Sequence, residues 1–390
     1  MDNYRILSLD GGGTWALIEV MALIDLYGGS TTGHQVLSEF DMVAANSGGS
    51  IVLGGLVDDM KLDDLLAFFL SQQKRDSVFV EKWIHTSFTP KYSTADKLRG
   101  LEAALPNRGG RLMPDAVLDI PGKTSGKPVH LLIIGFDYDR NRARFFRSAP
   151  ASAANLGDGD PTPVRLVDAI HASSTAPVMY FDKPAVLISD PGKRYWDGGV
   201  TGNNNPVLAA VTEAMVLGHV PESVIALALG TGTVVLPPQP PDQPDSVLFA
   251  QPYKQWLIGD VQKLAGAIVD DPPDAASFIA HVMTGASPGL PAPVDSRIVR
   301  MNPMVSPLGG NGTWSLPDGM NEDTFNALAN LGMDAVAKTD VTNIQTLADL
   351  WLHDKARNQP IRMNAELAPE VGHAFYSQAK EAWINLSGAD

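Results

Sequence analysis

Twice within its first 57 residues, the chain runs from a short apolar strand through a glycine-rich turn into an apolar helix. Arg5 to Leu9 ends at Asp10-Gly11-Gly12-Gly13-Thr14. Ala16 to Tyr27 follows, apolar on most sides (Leu17, Ile18, Val20, Met21, Leu23), with Gly28 and Gly29 to end it. Met42 to Asn46 then runs into Ser47-Gly48-Gly49-Ser50 and the apolar stretch Ile51 to Val57. Strand, tight turn and buried helix in alternation indicate an α/β fold with a mainly parallel sheet.

The remainder extends this pattern. Lys61 to Leu70 reads as an amphipathic helix, and Val129 to Phe136 as an apolar strand that Arg142 to Arg147 can pair with across a polar turn. Val164 to Ala172 reads as a helix, and Ala185 to Ser189 and Val224 to Leu229 as strands. Residues 74–127, rich in Pro, Gly and Lys, read as an insertion near the sheet edge or the mouth of a site. Pro237 to Pro244 holds five prolines in eight residues and is expected to be a loop or linker. It separates a core, 1–236, from a helix-rich region, 245–390, expected to complete or cover that core. There, Glu322 to Val336 reads as a helix with Asn321 as its N-cap.

Composition narrows the function. With 390 residues and 44% hydrophobic content, the chain can bury a sizeable core. A net charge of -15 is a poor match for nucleic-acid binding, which wants a basic face. With no cysteine, thiolate nucleophiles, disulfides and cysteine metal sites are excluded. No basic-then-apolar leader opens the sequence and no apolar run nears the roughly 18 residues of a bilayer span, so a cytoplasmic location is expected. No His-Glu-x-x-His or similar pattern supports a metal, and no cofactor is expected.

Three segments can carry chemistry. Ala45-Asn46-Ser47-Gly48-Gly49 has the small-x-Ser-x-Gly form between a strand and a helix, the context of a nucleophile elbow. The same residues also fit a turn in which Ser47 or Ser50 merely caps the helix. Gly11, Gly12 and Gly13 let backbone N–H groups face one cavity, as an oxyanion hole, a phosphate site or a plain tight turn would. No Lys-Ser or Lys-Thr pair follows, so a P-loop is disfavoured. Asp197-Gly198-Gly199 offers a carboxylate on a loop, either a general base or a solvated turn.

In this order, the three segments resemble the patatin-like phospholipase family of lipid acyl hydrolases. Other blocks resemble it too: Ala172-Ser173-Ser174-Thr175-Ala176-Pro177, Asn203-Asn204-Asn205-Pro206 and Leu227-Ala228-Leu229-Gly230-Thr231-Gly232. The resemblance spans roughly residues 5–235. It implies a three-layer fold with a mainly parallel sheet and helices on both faces. It also implies a Ser47–Asp197 dyad and an oxyanion loop of Gly11, Gly12 and Gly13. The substrate it implies is an acyl lipid or ester, with transient contact with a membrane or lipid aggregate. Two departures stand out: Ala45 replaces a glycine, and Trp15 and Ala16 stand where the family has Arg or Lys and then Gly.

Within that frame, Ser47 attacks an ester carbonyl, and an acyl-enzyme forms and is hydrolysed. A carboxylesterase or thioesterase for small esters and a non-catalytic lipid-binding module are the rival readings. Of the eight histidines, His171 lies nearest a family block, and His219, His281, His353 and His373 follow Asp197, so chain order alone leaves a triad open. Trp15, Met179, Tyr180, Phe181 and Trp196 are candidates for an acyl pocket, against ordinary core packing.

Overall fold

A computed structural model describes residues 3–82, 90–149, 163–240, 246–250, 272–285, 296–310, 313–363 and 369–388. Its central sheet has eight strands: β1 (Tyr4–Leu9), β2 (Met42–Asn46), β3 (His130–Asp137), β4 (Arg142–Arg147), β5 (Ala185–Val186), β6 (Arg194–Asp197), β7 (Val224–Leu229) and β8 (Ile298–Met301). The order is β5-β6-β3-β2-β1-β7-β8, with β4 also on β3. From β3 to β8 every pairing along the path is parallel, while β4, β5 and β6 join antiparallel.

Strand alternation sorts the core into two apolar layers. Leu7, Leu9, Ile225, Leu227 and Leu229 join one cluster, and Tyr4, Ile6, Val224, Ala226 and Ala228 the other. Helices α1 (Leu17–Tyr27), α2 (Ser47–Val57), α3 (Leu62–Leu70), α4 (Gln72–Val78), α5 (Thr94–Ala104) and α6 (Leu166–Ser173) contribute to the first layer. Helices α7 (Val207–Val216) and α8 (Pro272–Met283) cover the second. Ala210, Ala214, Ala276 and Ala280 let those two approach closely. Helices α9 (Glu322–Ala329), α10 (Lys338–Leu352) and α11 (Tyr376–Ser387) return to the first layer, where Phe325, Ile344, Trp351 and Trp383 are buried. Strand β8 thus brings the C-terminal region into the same sheet, beside β7. No helix among the described residues is long and apolar enough to cross a membrane.

The register of β3 decides where chemistry can occur. Residues 132–134 pair with both β2 and β4, so those two strands lie on opposite edges of β3. Residues 135–137 pair with both β4 and β6, so β6 continues along the edge that β2 leaves. The handover falls between Ile134, opposite Asn46, and Gly135, opposite Asp197. The end of β2 and the end of β6 are thereby brought together, although 150 residues separate Ser47 from Asp197.

Two expectations change. Of residues 74–127, read as an insertion, the described part holds α5 and the greater part of α4. Strand β5 stops at Val186 because Ser189 is drawn away, its N–H and hydroxyl both donating to Asp168 Oδ2 at 2.9 and 2.6 Å. Helix α9 has the expected Asn321 cap, which accepts from the Thr324 N–H at 2.8 Å, but ends at Ala329 rather than Val336. There the Asn330 amide folds back onto Asn326 O at 2.8 Å, and the following residues leave the helix toward the first glycine turn. Of the proline-rich stretch, 241–244 lies outside the described residues.

Candidate active site

Ser47 opens α2 with φ 47, a left-handed conformation in which a non-glycine residue stores about 1–3 kcal/mol of strain. The turn is fixed by its surroundings. The Ser47 N–H donates to Ser173 Oγ at 2.9 Å, and the Gly49 N–H donates to Asp10 O at 3.0 Å. A Cβ at Gly48 would lie 2.6 Å from Gly13 O, and one at Gly49 2.6 Å from Leu9 O and Asp10 O. The two glycine turns therefore pack backbone against backbone. The Ser47 hydroxyl does not cap the helix; it donates to Asp197 Oδ2 at 2.6 Å, while Ser50 bonds back to Ser47 O.

Asp197 is held as tightly. Its N–H donates to Thr175 O at 2.8 Å, and its Oδ1 accepts the Gly199 N–H at 2.8 Å. Ser47 is 6% exposed and Asp197 5%, so the pair works in a largely water-free setting. Burial pushes the Asp197 carboxyl above its ordinary range, and the Ser47 hydroxyl, the Gly199 N–H and the nearby Lys97 ammonium oppose that rise. A carboxylate so placed can accept the serine proton.

The three glycines are not equivalent. The Gly11 N–H is occupied, donating to Asn204 O at 2.8 Å, while Gly11 O accepts from Thr231 Oγ1 at 2.7 Å. Gly12 and Gly13 donate to no backbone acceptor among the described residues, and Gly13, at φ 58, lines a pocket with Ser47 and Gly48. Asp10, just before them, pairs with Arg300 of β8 at 2.6 Å in a buried contact. Burial raises the Asp10 carboxyl to about 6 against the pull of Arg300. Thr14 N–H donates to Met333 O at 3.1 Å, and the Trp15 indole to Gly332 O at 3.1 Å.

The pocket at Ser47 is small, about 20 Å³, the room for about one water. Besides Gly13, Ser47 and Gly48, its walls include Ile51, Phe79, Lys97, Tyr180, Phe181 and Met333. Tyr180 and Phe181 are the expected aromatics that reach it. Trp15 is turned to Gly332 and buried, Trp196 packs against the cluster of Tyr92, Ala176 and Phe181 without lining the pocket, and Met179 is held by its carbonyl, which accepts from the Lys91 N–H. Val78, Phe79 and Lys97 come from the region read as an insertion, and Met333 from the C-terminal region. One sequence signal did point to Lys97: in α5 the buried positions Thr94, Lys97, Leu101 and Ala104 form a single helical stripe, and a lysine stands within it.

Among the described residues, no histidine is a hydrogen-bond partner of Ser47 or Asp197. His171 is buried and kept well below its ordinary range, chiefly by burial, so it is neutral. His219 stacks on Tyr4, His281 meets Ser296 Oγ at 2.9 Å, and His353 meets Asp349 O at 2.7 Å. His373 offers its carbonyl to Asn358 at 2.9 Å.

Comparison with known proteins places this site in context. A cGAMP-activated phospholipase from Pseudomonas aeruginosa (strain BWHPSA011 / Pa011) is 26% identical over 240 residues, 60% of this chain. The chain spans 63% of that relative's length. The solved structure of VipD from Legionella pneumophila aligns over 90% of this chain and 67% of that one, at 10% identity and a TM-score of 0.33. The model of the patatin-like phospholipase family matches residues 7–211, just over half the chain and the whole stretch from the glycine turns to the helix after Asp197. The chain is a member of the patatin-like phospholipase family.

Proposed function

We propose that the chain is a lipid acyl hydrolase in which Ser47 is the nucleophile and Asp197 its base. The observation that carries this reading is the 2.6 Å hydrogen bond from the Ser47 hydroxyl to Asp197 Oδ2, at a strained elbow and out of water. As Ser47 Oγ attacks the ester carbonyl, its proton passes to Asp197. The carbonyl oxygen becomes an oxyanion beside the N–H groups of Gly12, Gly13 and Gly48, each such donor being worth about 2.7–4 kcal/mol. Collapse of the tetrahedral species breaks the ester bond, and the leaving alcohol takes the proton from Asp197. Water then attacks the acyl-enzyme, giving its proton to the same carboxylate, and the fatty acid leaves with Ser47 reprotonated. Gly11 is a spacer in this scheme, because its N–H is already occupied.

The size of the pocket favours a second reading, an esterase for small esters. An acyl chain fits only if Met333, Phe79 or Tyr180 moves aside. Hydrolysis of p-nitrophenyl esters of two to sixteen carbons, and of phospholipid vesicles, separates the two. The assay is run with and without cGAMP, since the relative is named for activation by it. Ser47→Ala and Asp197→Asn are expected to lose activity by about a thousandfold or more while remaining folded, and Ser47→Ala to lose labelling by a fluorophosphonate. Undiminished activity in Ser47→Ala would sink the reading.

A further inference from the structure

Lys97 is fully buried, and among the described residues no carboxylate pairs with it directly. Its Nζ donates to Thr175 Oγ1 at 2.7 Å and to His171 O at 3.1 Å, and lies 4.6 Å from the centre of the Phe181 ring. Thr175 Oγ1 gives its own proton to His171 O at 2.6 Å, so toward Lys97 it can only accept. A carbonyl, an accepting hydroxyl and the negative face of an aromatic ring account for three N–H bonds and leave no place for a lone pair. This is the environment of an ammonium ion. The last turn of α6, which supplies the His171 carbonyl, adds the favourable end of a helix dipole.

The same Thr175 ties this cation to the base. Its side chain holds Lys97 and its carbonyl accepts the Asp197 N–H at 2.8 Å. Lys97 and Ser47 line the same pocket. Resting on the Ser47–Asp197 reading above, we propose that Lys97 is a positioning residue whose charge keeps the Asp197 carboxylate ionised and ready to accept the serine proton.

The other charged groups around α5 are engaged elsewhere. From α6, His171 is neutral, and Asp168 is paired with Arg165 at 2.7 Å. From α4, Arg75 donates to Phe69 O and Val336 O at 2.8 and 3.0 Å. Asp182 accepts from the Thr94 N–H at 3.1 Å and pairs with Lys82. Within α5 itself, Asp96 pairs with Arg99, and Glu102 with Arg165. Burial drives Lys97 well below its ordinary range, and the charge of Asp197 opposes this, so each group supports the charged form of the other.

The test is the pH profile of kcat/KM on a p-nitrophenyl ester for wild type, Lys97→Met, Lys97→Gln and Lys97→Arg. The acid limb reports the free-enzyme base. Removing the nearby positive charge favours the protonated carboxyl. In Lys97→Met and Lys97→Gln the limb should therefore move to higher pH, with about a tenfold loss of kcat/KM at pH 7. In Lys97→Arg it should stay near the wild-type position. A lowered plateau with an unmoved limb would make Lys97 a mere cap for α6 and overturn the proposal. So would loss of the folded state in both neutral variants, judged by circular dichroism. Ser47→Ala, run alongside, keeps the two readings apart. Activity without Ser47 refutes the dyad, whereas a fixed limb in an enzyme that needs Ser47 refutes only the role of Lys97.

Discussion

The two glycine turns have the same strand-turn-helix form but are held in opposite ways. The turn at 46–50 has partners within the family-matched stretch: Ser173, Asp197 and Asp10. The turn at 10–14 is held largely from beyond it, by Thr231, Arg300, Gly332 and Met333. Residue type explains the contrast. Ser47 and Asn46 can fix their own geometry, whereas three consecutive glycines lose the most conformational freedom on folding and have no side chains to anchor them. Such a loop takes its shape from what clamps it. One turn carries the proposed nucleophile; the other depends on the far end of the chain for its form.

The hardest test of this contrast removes the strongest clamp. Arg300→Met leaves Asp10 buried without its partner and should cost about 3–5 kcal/mol in urea unfolding. Ser173→Ala, which removes the acceptor of the Ser47 N–H, should cost only about 1–2 kcal/mol. Equal losses would erase the distinction. The pH dependence of Asp10 adds a second reading. Its carboxyl, raised to about 6, still holds a proton where the unfolded chain, at about 4, has released its own. Its contribution to stability is thus full below pH 4 and is lost as pH rises through 6. The melting temperature of wild type minus that of Asp10→Asn should fall across this window; a rise would contradict the assignment.

A smaller effect is expected from Gly13→Ala. The added Cβ would run into Met333 O, at a position whose φ of 58 already disfavours alanine by about 1–2 kcal/mol. Relief can come from movement of the 330–336 segment, so the protein should fold with a loss of about 1–3 kcal/mol. Because an N–H beside the pocket is displaced, kcat should drop about tenfold to a hundredfold with little change in KM. At Gly49 the obstructing atoms are carbonyls of β1 and its end, Leu9 O and Asp10 O, which cannot move without the sheet. Gly49→Ala should therefore lower stability more than Gly13→Ala does.

The same division runs through what the sequence made legible. Ser47, Asp197 and the glycines were readable because local backbone demands restrict residue choice there: a strained elbow, two turns in contact, a carboxylate before paired glycines. The parallel sheet was readable from apolar strands alternating with apolar helices. The walls of the pocket were not. Phe79 and Met333 reach it through long-range packing of elements whose own patterns say only helix or loop, and any apolar residue of suitable size would satisfy those patterns; Lys97 is set apart only as a lysine within the buried stripe of α5. The continuation of Glu322 into a helix through Val336 failed for the same reason. Its apolar spacing persists past Asn330, but the segment is taken up by hydrogen bonds to Thr14 and Trp15 that no local pattern announces.

Trp15 gives the mildest test. It stands where the family carries a basic residue, and its environment accounts for the exchange: the side chain is buried beside Gly232 and spends its one donor on Gly332 O at 3.1 Å. A cation there would have lost most of its water. Trp15→Phe keeps an aromatic ring but deletes that bond and leaves a small void, so it should cost about 1–2 kcal/mol, read as a lowered urea midpoint with an unchanged slope. Gly332 adjoins Met333 in the pocket wall, so loosening it should shift the acyl-chain optimum toward longer esters while kcat on the shortest ester stays within about twofold. If stability falls but the chain-length profile stays fixed, the 330–336 segment is a clamp on the glycine turn and not a wall that governs what enters.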